Sequence, residues 1–139
     1  MNVATNLEWS AFFFPEHPAL SERSSEITYA RFNEQANRVA TALLGMGIKP
    51  GDHVALCAPN SGDWLTFYFG VLKAGAVAVT LSSLLAPEEI ALLVDHSRPR
   101  FVFADRAKLD CLQNVRGTGG LEKVICPGGD LDLQQLMDR

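Results

Sequence analysis

Residues 60–81, NSGDWLTFYFGVLKAGAVAVTL, decide the fold of this chain. A helix is predicted first, because Ser61 can accept hydrogen bonds from the free N–H groups of a first turn and Asp63 suits the positive end of the helix dipole. Apolar side chains cover nearly every side of it, which is typical of a helix in a core or a membrane. Gly75 can adopt the left-handed conformation that ends a helix. The apolar residues 76–79 then predict a strand covered on both faces.

A membrane-spanning helix is the alternative for the same stretch. Residues 64–85 carry a single charge, Lys73, and are long enough to cross a bilayer. Lys73-Ala74-Gly75 interrupts them, however, and the valines cluster after the glycine, as a change from helix to strand predicts. We therefore predict a buried helix followed by a strand, and no membrane span.

The flanking segments extend this unit into an alternation of strands and helices. Residues 53–57, HVALC, predict a buried strand before the helix, and residues 101–104, FVFA, predict another after it. An amphipathic helix is expected after its N-cap Thr28, and a further helix from Pro87. This alternation predicts one α/β domain over residues 1–139, with a mostly parallel sheet and helices on both faces.

Shorter elements are predicted towards the two ends of the chain. Asn6 can cap a helix that Pro15 ends, and the apolar residues on either side of the polar run 21–25 predict a small hairpin. Asp105 can cap another short helix. The elements expected beyond it are a glycine-rich link at 117–120, a fourth strand at 121–126 and a helix at 131–137.

The composition excludes several classes of protein. The chain is 47% hydrophobic with a net charge of −4, and it has no basic run that would indicate a nucleic-acid surface. The three cysteines form no CxxC pair, and their odd number favours a reducing compartment. No Lys or Arg precedes Arg23, and the apolar run 12–14 is too short for the core of a signal peptide. We therefore expect a cytoplasmic protein.

The glycine clusters do not predict a phosphate site. Residues 70–75 have the glycine spacing of a phosphate loop, but Ala76-Val77 replaces its Lys-Ser/Thr pair and the carbonyls of a helix end repel phosphate. The glycines of 45–51 precede a strand, so they indicate a helix cap and a turn and not a dinucleotide fingerprint. A linker explains residues 117–120 better than an anion site does.

The titratable residues do not form a recognisable catalytic or metal site either. Adjacent residues on a helix point about 100° apart, so Asp95-His96 is not an acid–base pair, and a helix N-terminus explains Glu88-Glu89. The histidines lack the spacing of metal ligands: His17, His53 and His96. The residues alone therefore predict no catalytic, cofactor-binding or metal-binding side chain.

Several short motifs, taken in order, resemble the opening of the adenylate-forming, AMP-binding enzymes. They are ITYARF at 27–32, ANRVA at 36–40, GDHVA at 51–55, PNS at 59–61, LKAGAV at 72–77 and PEEI at 87–90. Phe32 stands where leucine is usual in the family, and Thr80 stands where a proline is frequent. The acid–CoA ligase branch, which includes enzymes of fatty acid metabolism, resembles this chain more than the peptide-synthetase branch does.

The resemblance implies an enzyme that joins a carboxylic acid to the α-phosphate of ATP with the help of Mg²⁺, and then passes the acyl group to the thiol of coenzyme A. It also implies that this chain is the first part of a larger N-terminal domain. The family's phosphate loop with its lysine, its acidic ribose clamp and its C-terminal lysine have no counterpart here. We accordingly expect no cofactor on this segment and no activity from it. The rival hypothesis is an independent α/β module that binds a ligand or a partner protein.

Self-association is a last expectation from the sequence. The helix at 61–74 is apolar on almost all sides, so one sheet cannot cover it. An exposed apolar patch or an open strand edge should result. We expect a homodimer or a larger assembly with one or more of these residues near the contact: Trp64, Phe67, Tyr68 and Phe69.

Overall fold

The computed structural model describes residues 2–22, 25–117 and 119–139. The helices in this part of the chain are α1 (Ala4–Phe13), α2 (Tyr29–Gly45), α3 (Gly62–Lys73), α4 (Pro87–Ser97), α5 (Leu109–Asn114) and α6 (Leu133–Met137). The strands are β1 (Pro18–Glu22), β2 (Ser25–Thr28), β3 (His53–Cys57), β4 (Val77–Thr80), β5 (Phe101–Ala104) and β6 (Lys123–Ile125). A 3-10 turn, Arg106–Lys108, leads into α5.

The four later strands form a parallel sheet in the order β4-β3-β5-β6. Val54 of β3 lies opposite Ala78 of β4 on one side and Phe101 of β5 on the other. The first two strands form a separate antiparallel hairpin, as expected, with Ile27 opposite Leu20. Arg23 and Ser24, in the polar run predicted to separate them, lie outside the described residues.

Alternate residues of the central strands enter two separate cores, because successive side chains of a strand point to opposite faces. On one face Val54, Leu56 and Phe103 pack with residues of α2, α3 and α6. On the other face Ala55 and Val102 pack with residues of α4 and α5. The predicted α/β class, with a parallel sheet and helices on both faces, is confirmed.

The caps predicted from the sequence are present on the longer helices. Ser61 Oγ accepts from the N–H of Trp64 at 3.1 Å, and Thr28 Oγ1 accepts from the N–H of Arg31 at 3.3 Å. Pro87 occupies the first turn of α4. Gly75 ends α3 with φ of +74°, so the glycine stop is confirmed.

Two other predicted caps are wrong. The Asn2 side chain, and not Asn6, satisfies the start of α1, since its Oδ1 accepts from the N–H of Ala4 at 2.9 Å. Asp105 makes no capping hydrogen bond, and the chain turns through a 3-10 segment there before α5 begins. The strand expected at 121–126 is β6, which is shorter, and Thr118 of the predicted link lies outside the described residues.

The helix α3 is covered from two sides. Phe67 faces the sheet, where its ring stacks on Phe103 with 4.8 Å between the centroids. Leu65 and Phe69 pack on the opposite side with Leu7 of α1 and Phe32 of α2. One sheet does not cover α3, as predicted, and α1 and α2 pack on its opposite side while Trp64 and Tyr68 stay part-exposed. Phe67 is fully buried, so of the four residues expected near an intermolecular contact it is not available on the surface.

The strand β4 differs from its prediction. It was expected to be covered on both faces, but it lies at the edge of the sheet and Val77 is 43% exposed. The expected open strand edge is therefore present. No helix in the described ranges is long and apolar enough to cross a membrane.

Candidate functional site

The order of the sheet reverses between β3 and β5. From β3 the chain passes through α3 to β4 on one side, and from β5 it passes through α5 to β6 on the other. In open parallel sheets, ligands bind outside the carboxyl ends of the strands at such a reversal. A cleft of about 460 Å³ lies at this place. We refer to it as the switch-point cleft.

Three parts of the chain form the walls of the switch-point cleft. The loop after β3 contributes Pro59 and Ser61, and the first turn of α3 contributes Asp63. Asp105 and Arg106 follow β5 directly. The start of α6 closes the third side with Asp132, Leu133 and Gln134. The cleft is thus mixed, with carboxylates, a guanidinium and apolar surface together.

Two carboxylates of the cleft, those of Asp63 and Asp105, are partly shielded from solvent. Desolvation raises the pKa of the Asp63 carboxyl above its ordinary value, and the nearby Glu22 raises it further. The Oδ1 atom of Asp105 is buried and has no hydrogen-bond partner in the described structure. Buried acceptors are normally hydrogen-bonded, so this oxygen is a candidate for contact with a ligand in the cleft.

Arg106 shapes the far wall of the cleft. Its Nη1 donates to the carbonyl oxygen of Pro127 at 3.1 Å. A Cβ on Gly128, where φ is +82°, would lie 1.7 Å from the same nitrogen. The guanidinium ends a flexible, exposed side chain and could move aside, so it is the positive φ that favours glycine at this turn.

The helix N-termini at the cleft are already occupied by their own side chains. Ser61 caps α3, and Asp132 caps α6 by accepting from the N–H of Gln135 at 2.8 Å. Gln135 Oε1 accepts from the N–H of Asp132 at 2.9 Å in return. No group of three or more His, Cys, Asp or Glu among the described residues could hold a metal ion. The cleft therefore offers a mixed polar and apolar surface, and neither helix N-terminus at it is free for an anion.

A second cleft, of about 510 Å³, lies on the other side of the loop after β3. It is at the carboxyl ends of β3 and β4, and Trp64, Thr80 and Ser82 line it. Thr80, which departs from the family pattern, is the last residue of β4 and is exposed there. The segment 58–60 therefore separates two open clefts at one edge of the sheet.

Two of the histidines that the sequence rejected as ligands make structural contacts. Nδ1 of His53 lies 2.6 Å from the carbonyl oxygen of Ser97, which ties the start of β3 to the end of α4. The ring of His17 packs edge-on against Phe14. Burial raises the pKa of the thiols, which keeps them unreactive: Cys57, Cys111 and Cys126.

Sequence reasoning missed the switch-point cleft. A signal was available, because Pro59 and Asp105 follow the segments HVALC and FVFA, both predicted as buried strands. The carboxyl ends of parallel strands meet at one edge of a sheet. The order of the strands, which places the cleft between β3 and β5, is visible only in the fold.

Comparison with known proteins identifies the family. The sequence profile of the AMP-binding enzymes matches residues 7–135. This chain belongs to the AMP-binding enzyme family. The long-chain-fatty-acid–CoA ligase FadD13 of Mycobacterium tuberculosis (strain H37Rv) is 37% identical to this chain over 117 residues. The match covers 83% of this chain and 23% of the ligase.

Other similar proteins include a peptide synthase and a second CoA ligase. A linear gramicidin synthase protein of Brevibacillus parabrevis is 33% identical over 116 residues, which are 84% of this chain and 1% of the synthase protein. The crystal structure of the anthranilate CoA ligase AuaEII in complex with anthranoyl-AMP superposes with a TM-score of 0.92 and 29% identity, over 99% of this chain and 27% of that one. The chain thus spans about a quarter of the length of these CoA ligases. The resemblance read from the motifs is confirmed.

Proposed function

We propose that this chain is the first part of the large N-terminal domain of an ATP-dependent acid–CoA ligase. Such an enzyme activates a carboxylate as an acyl-adenylate, releases pyrophosphate and passes the acyl group to the thiol of coenzyme A. The observation that carries the proposal is the similarity over 99% of the chain to AuaEII, a CoA ligase whose structure contains anthranoyl-AMP. Anthranoyl-AMP is an acyl-adenylate, the intermediate that this chemistry requires.

The chain's own residues do not fit a triphosphate or Mg²⁺ site. The described part holds no cluster of metal ligands, and the N-termini of α3 and α6 are capped from within. ATP and Mg²⁺ would therefore be held by other parts of the enzyme. In this proposal the 139 residues form the scaffold, and the switch-point cleft is the surface that they turn towards a ligand.

The acceptor and the location are further parts of the proposal. Coenzyme A is favoured over a peptide-synthetase carrier, because the ligase FadD13 is 37% identical to the chain and the gramicidin synthase protein is 33% identical.

A cytoplasmic location agrees with the three free cysteines, since thiols persist in reducing compartments. The rival proposal, an independent binding module, has no comparable support in the matched structures.

Acid-dependent exchange of pyrophosphate into ATP tests the proposal. The complete natural protein that contains these residues should catalyse exchange with an acid from a panel of aliphatic and aromatic carboxylates, and should then form an acyl-CoA. The 139-residue chain alone should show no exchange above a heat-killed control. Exchange by the chain alone would contradict the scaffold role. A complete protein with no exchange would overturn the ligase proposal, and acyl transfer only to a carrier protein would favour the synthetase branch.

A further inference from the structure

The helix α1 is apolar on two opposite faces. Ala4 and Leu7 lie on one face and are buried against the body of the chain. Trp9, Phe12 and Phe13 follow the helical spacing i, i+3 and i+4, so they share the other face. There they are 66%, 79% and 63% exposed. A surface helix normally carries polar residues on this side, so the exposed face calls for an explanation.

The exposed rings form a continuous surface, the aromatic patch, which consists of Trp9, Phe12, Phe13 and Phe14. Phe12 and Phe13 are perpendicular with 5.1 Å between their centroids, and Phe14 lies 6.4 Å from Phe13 and is 54% exposed. A groove of about 440 Å³ lies beside the first three rings and Glu8. The patch therefore offers both projecting rings and a space into which a ring can fit.

The charges around the aromatic patch restrict what can cover it. Glu8 is the only charged residue of α1, and its carboxylate is paired with the Nζ of Lys73 at 2.6 Å. Residues 2–22 contain no Lys or Arg, and the whole chain carries a net charge of −4. Anionic phospholipids attract basic segments, so this surface does not suit them. A neutral, apolar surface such as the patch itself suits it best.

We propose that a second copy of this chain covers the aromatic patch. In an isologous contact the same surface of both copies packs together, and the one carboxylate beside this surface, that of Glu8, is already paired with Lys73. At roughly 200 Å² per aromatic side chain, the exposed fractions amount to about 500 Å² per copy and about 1,000 Å² per pair. That area reaches the lower limit of about 1,000 Å² for a specific interface. In this proposal self-association uses α1 and not α3.

Sedimentation equilibrium of the 139-residue chain, from micromolar to millimolar concentration, tests this surface. The wild-type chain should shift from monomer to dimer as the concentration rises. Phe12→Lys should raise the dissociation constant roughly tenfold or more, because a charge replaces a buried ring. α1 should persist, since Phe12 is exposed and a cation suits the end of a helix. Circular dichroism checks that it does.

Leu92→Lys is the matched control, because Leu92 of α4 is 69% exposed and lies outside the aromatic patch. It should dimerise like the wild type. The proposal is overturned if the wild type stays monomeric throughout, or if Phe12→Lys and Leu92→Lys behave alike. A wild-type monomer that cosediments with neutral phosphatidylcholine vesicles would show that a membrane surface, and not a second copy, covers the patch.

Discussion

Gly70 and Val39 bring α3 and α2 into close contact. A Cβ atom on Gly70 would lie 2.3 Å from Cγ1 of Val39, which is shorter than any side-chain contact allows. It would also lie 2.5 Å from Cβ of Val39 and 3.2 Å from the carbonyl oxygen of Ala36. Both helices carry residues of the same core, so this close contact sets the distance between α2 and α3.

Gly70→Ala should therefore destabilise the chain, although alanine favours a helix by about 1 kcal/mol over glycine. Overpacking of a tight core typically costs about 1–3 kcal/mol, so we expect a net loss of about 1–2 kcal/mol in the free energy of unfolding. Urea denaturation measures it. Gly45→Ala is the control, because nothing lies within 4 Å of that Cβ, and it should be neutral or stabilising. A Gly70→Ala variant as stable as the wild type would contradict the close packing.

Gly75 should be sensitive to the shape of its replacement. Its φ of +74° lies in a region that β-branched residues tolerate badly. Gly75→Val should cost more than about 1 kcal/mol of unfolding free energy. Gly75→Asn meets the same neighbour, Pro50 at 3.3 Å, but tolerates this conformation better, so it should cost clearly less. Equal losses for the two variants would show that crowding, and not the backbone angle, decides.

Arg100 should make the stability of the chain depend on acid pH. Its guanidinium donates to Asp52 at 2.6 Å, to Glu122 at 2.7 Å and to the carbonyl oxygen of Gly47 at 2.7 Å. Arg100 lowers the pKa of Glu122 below 4.5. The Lys49 N–H and then Arg100 lower the pKa of Asp52 below 3.8.

A lowered pKa in the folded state stabilises the chain above the ordinary pKa, and this contribution is lost as the pH falls through the lowered value. The urea midpoint of the wild type should therefore drop as these carboxylates are protonated. Arg100→Gln should flatten that part of the profile. Arg100→Lys should be intermediate, because an ammonium keeps the charge but not the planar fork. Parallel profiles for all three proteins would exclude this role of Arg100.

A substitution of Asp105 should affect ligand binding without affecting the stability of the chain. Oδ1 of Asp105 is buried and makes no hydrogen bond within the described residues, so Asp105→Ala removes no hydrogen bond of that atom and should leave the thermal midpoint of the 139-residue chain unchanged. If the switch-point cleft faces a ligand, the same substitution in the complete enzyme should lower the rate of acyl-CoA formation. Asp110→Ala, an exposed acid on α5, is the control and should change neither. A destabilised Asp105→Ala chain would mean that the carboxylate is structural.

The sequence by itself determined the local elements and the family. Ser61, Thr28 and Gly75 act within one turn of their own positions in the chain, so the caps and the stop of α3 follow from residue type and spacing. The alternation of strands and helices along the chain, around HVALC and residues 76–79, was enough to predict a parallel sheet with helices on both faces. The motif LKAGAV belongs to this same unit, which is why the scaffold and the family were recognised together.

Only the tertiary structure decided which apolar surfaces are covered. The pattern of β4 indicates burial on both faces, but its place at the edge of the sheet leaves Val77 exposed. Phe67 is buried and Phe12 is exposed, although both are aromatic residues on apolar helices. The switch-point cleft likewise joins loops more than forty residues apart in the chain, around Pro59 and Asp105. Hydrophobic periodicity shows which side chains favour burial. Whether a side chain is buried depends on neighbours that are distant in sequence, because only the packed fold brings those neighbours into contact with it.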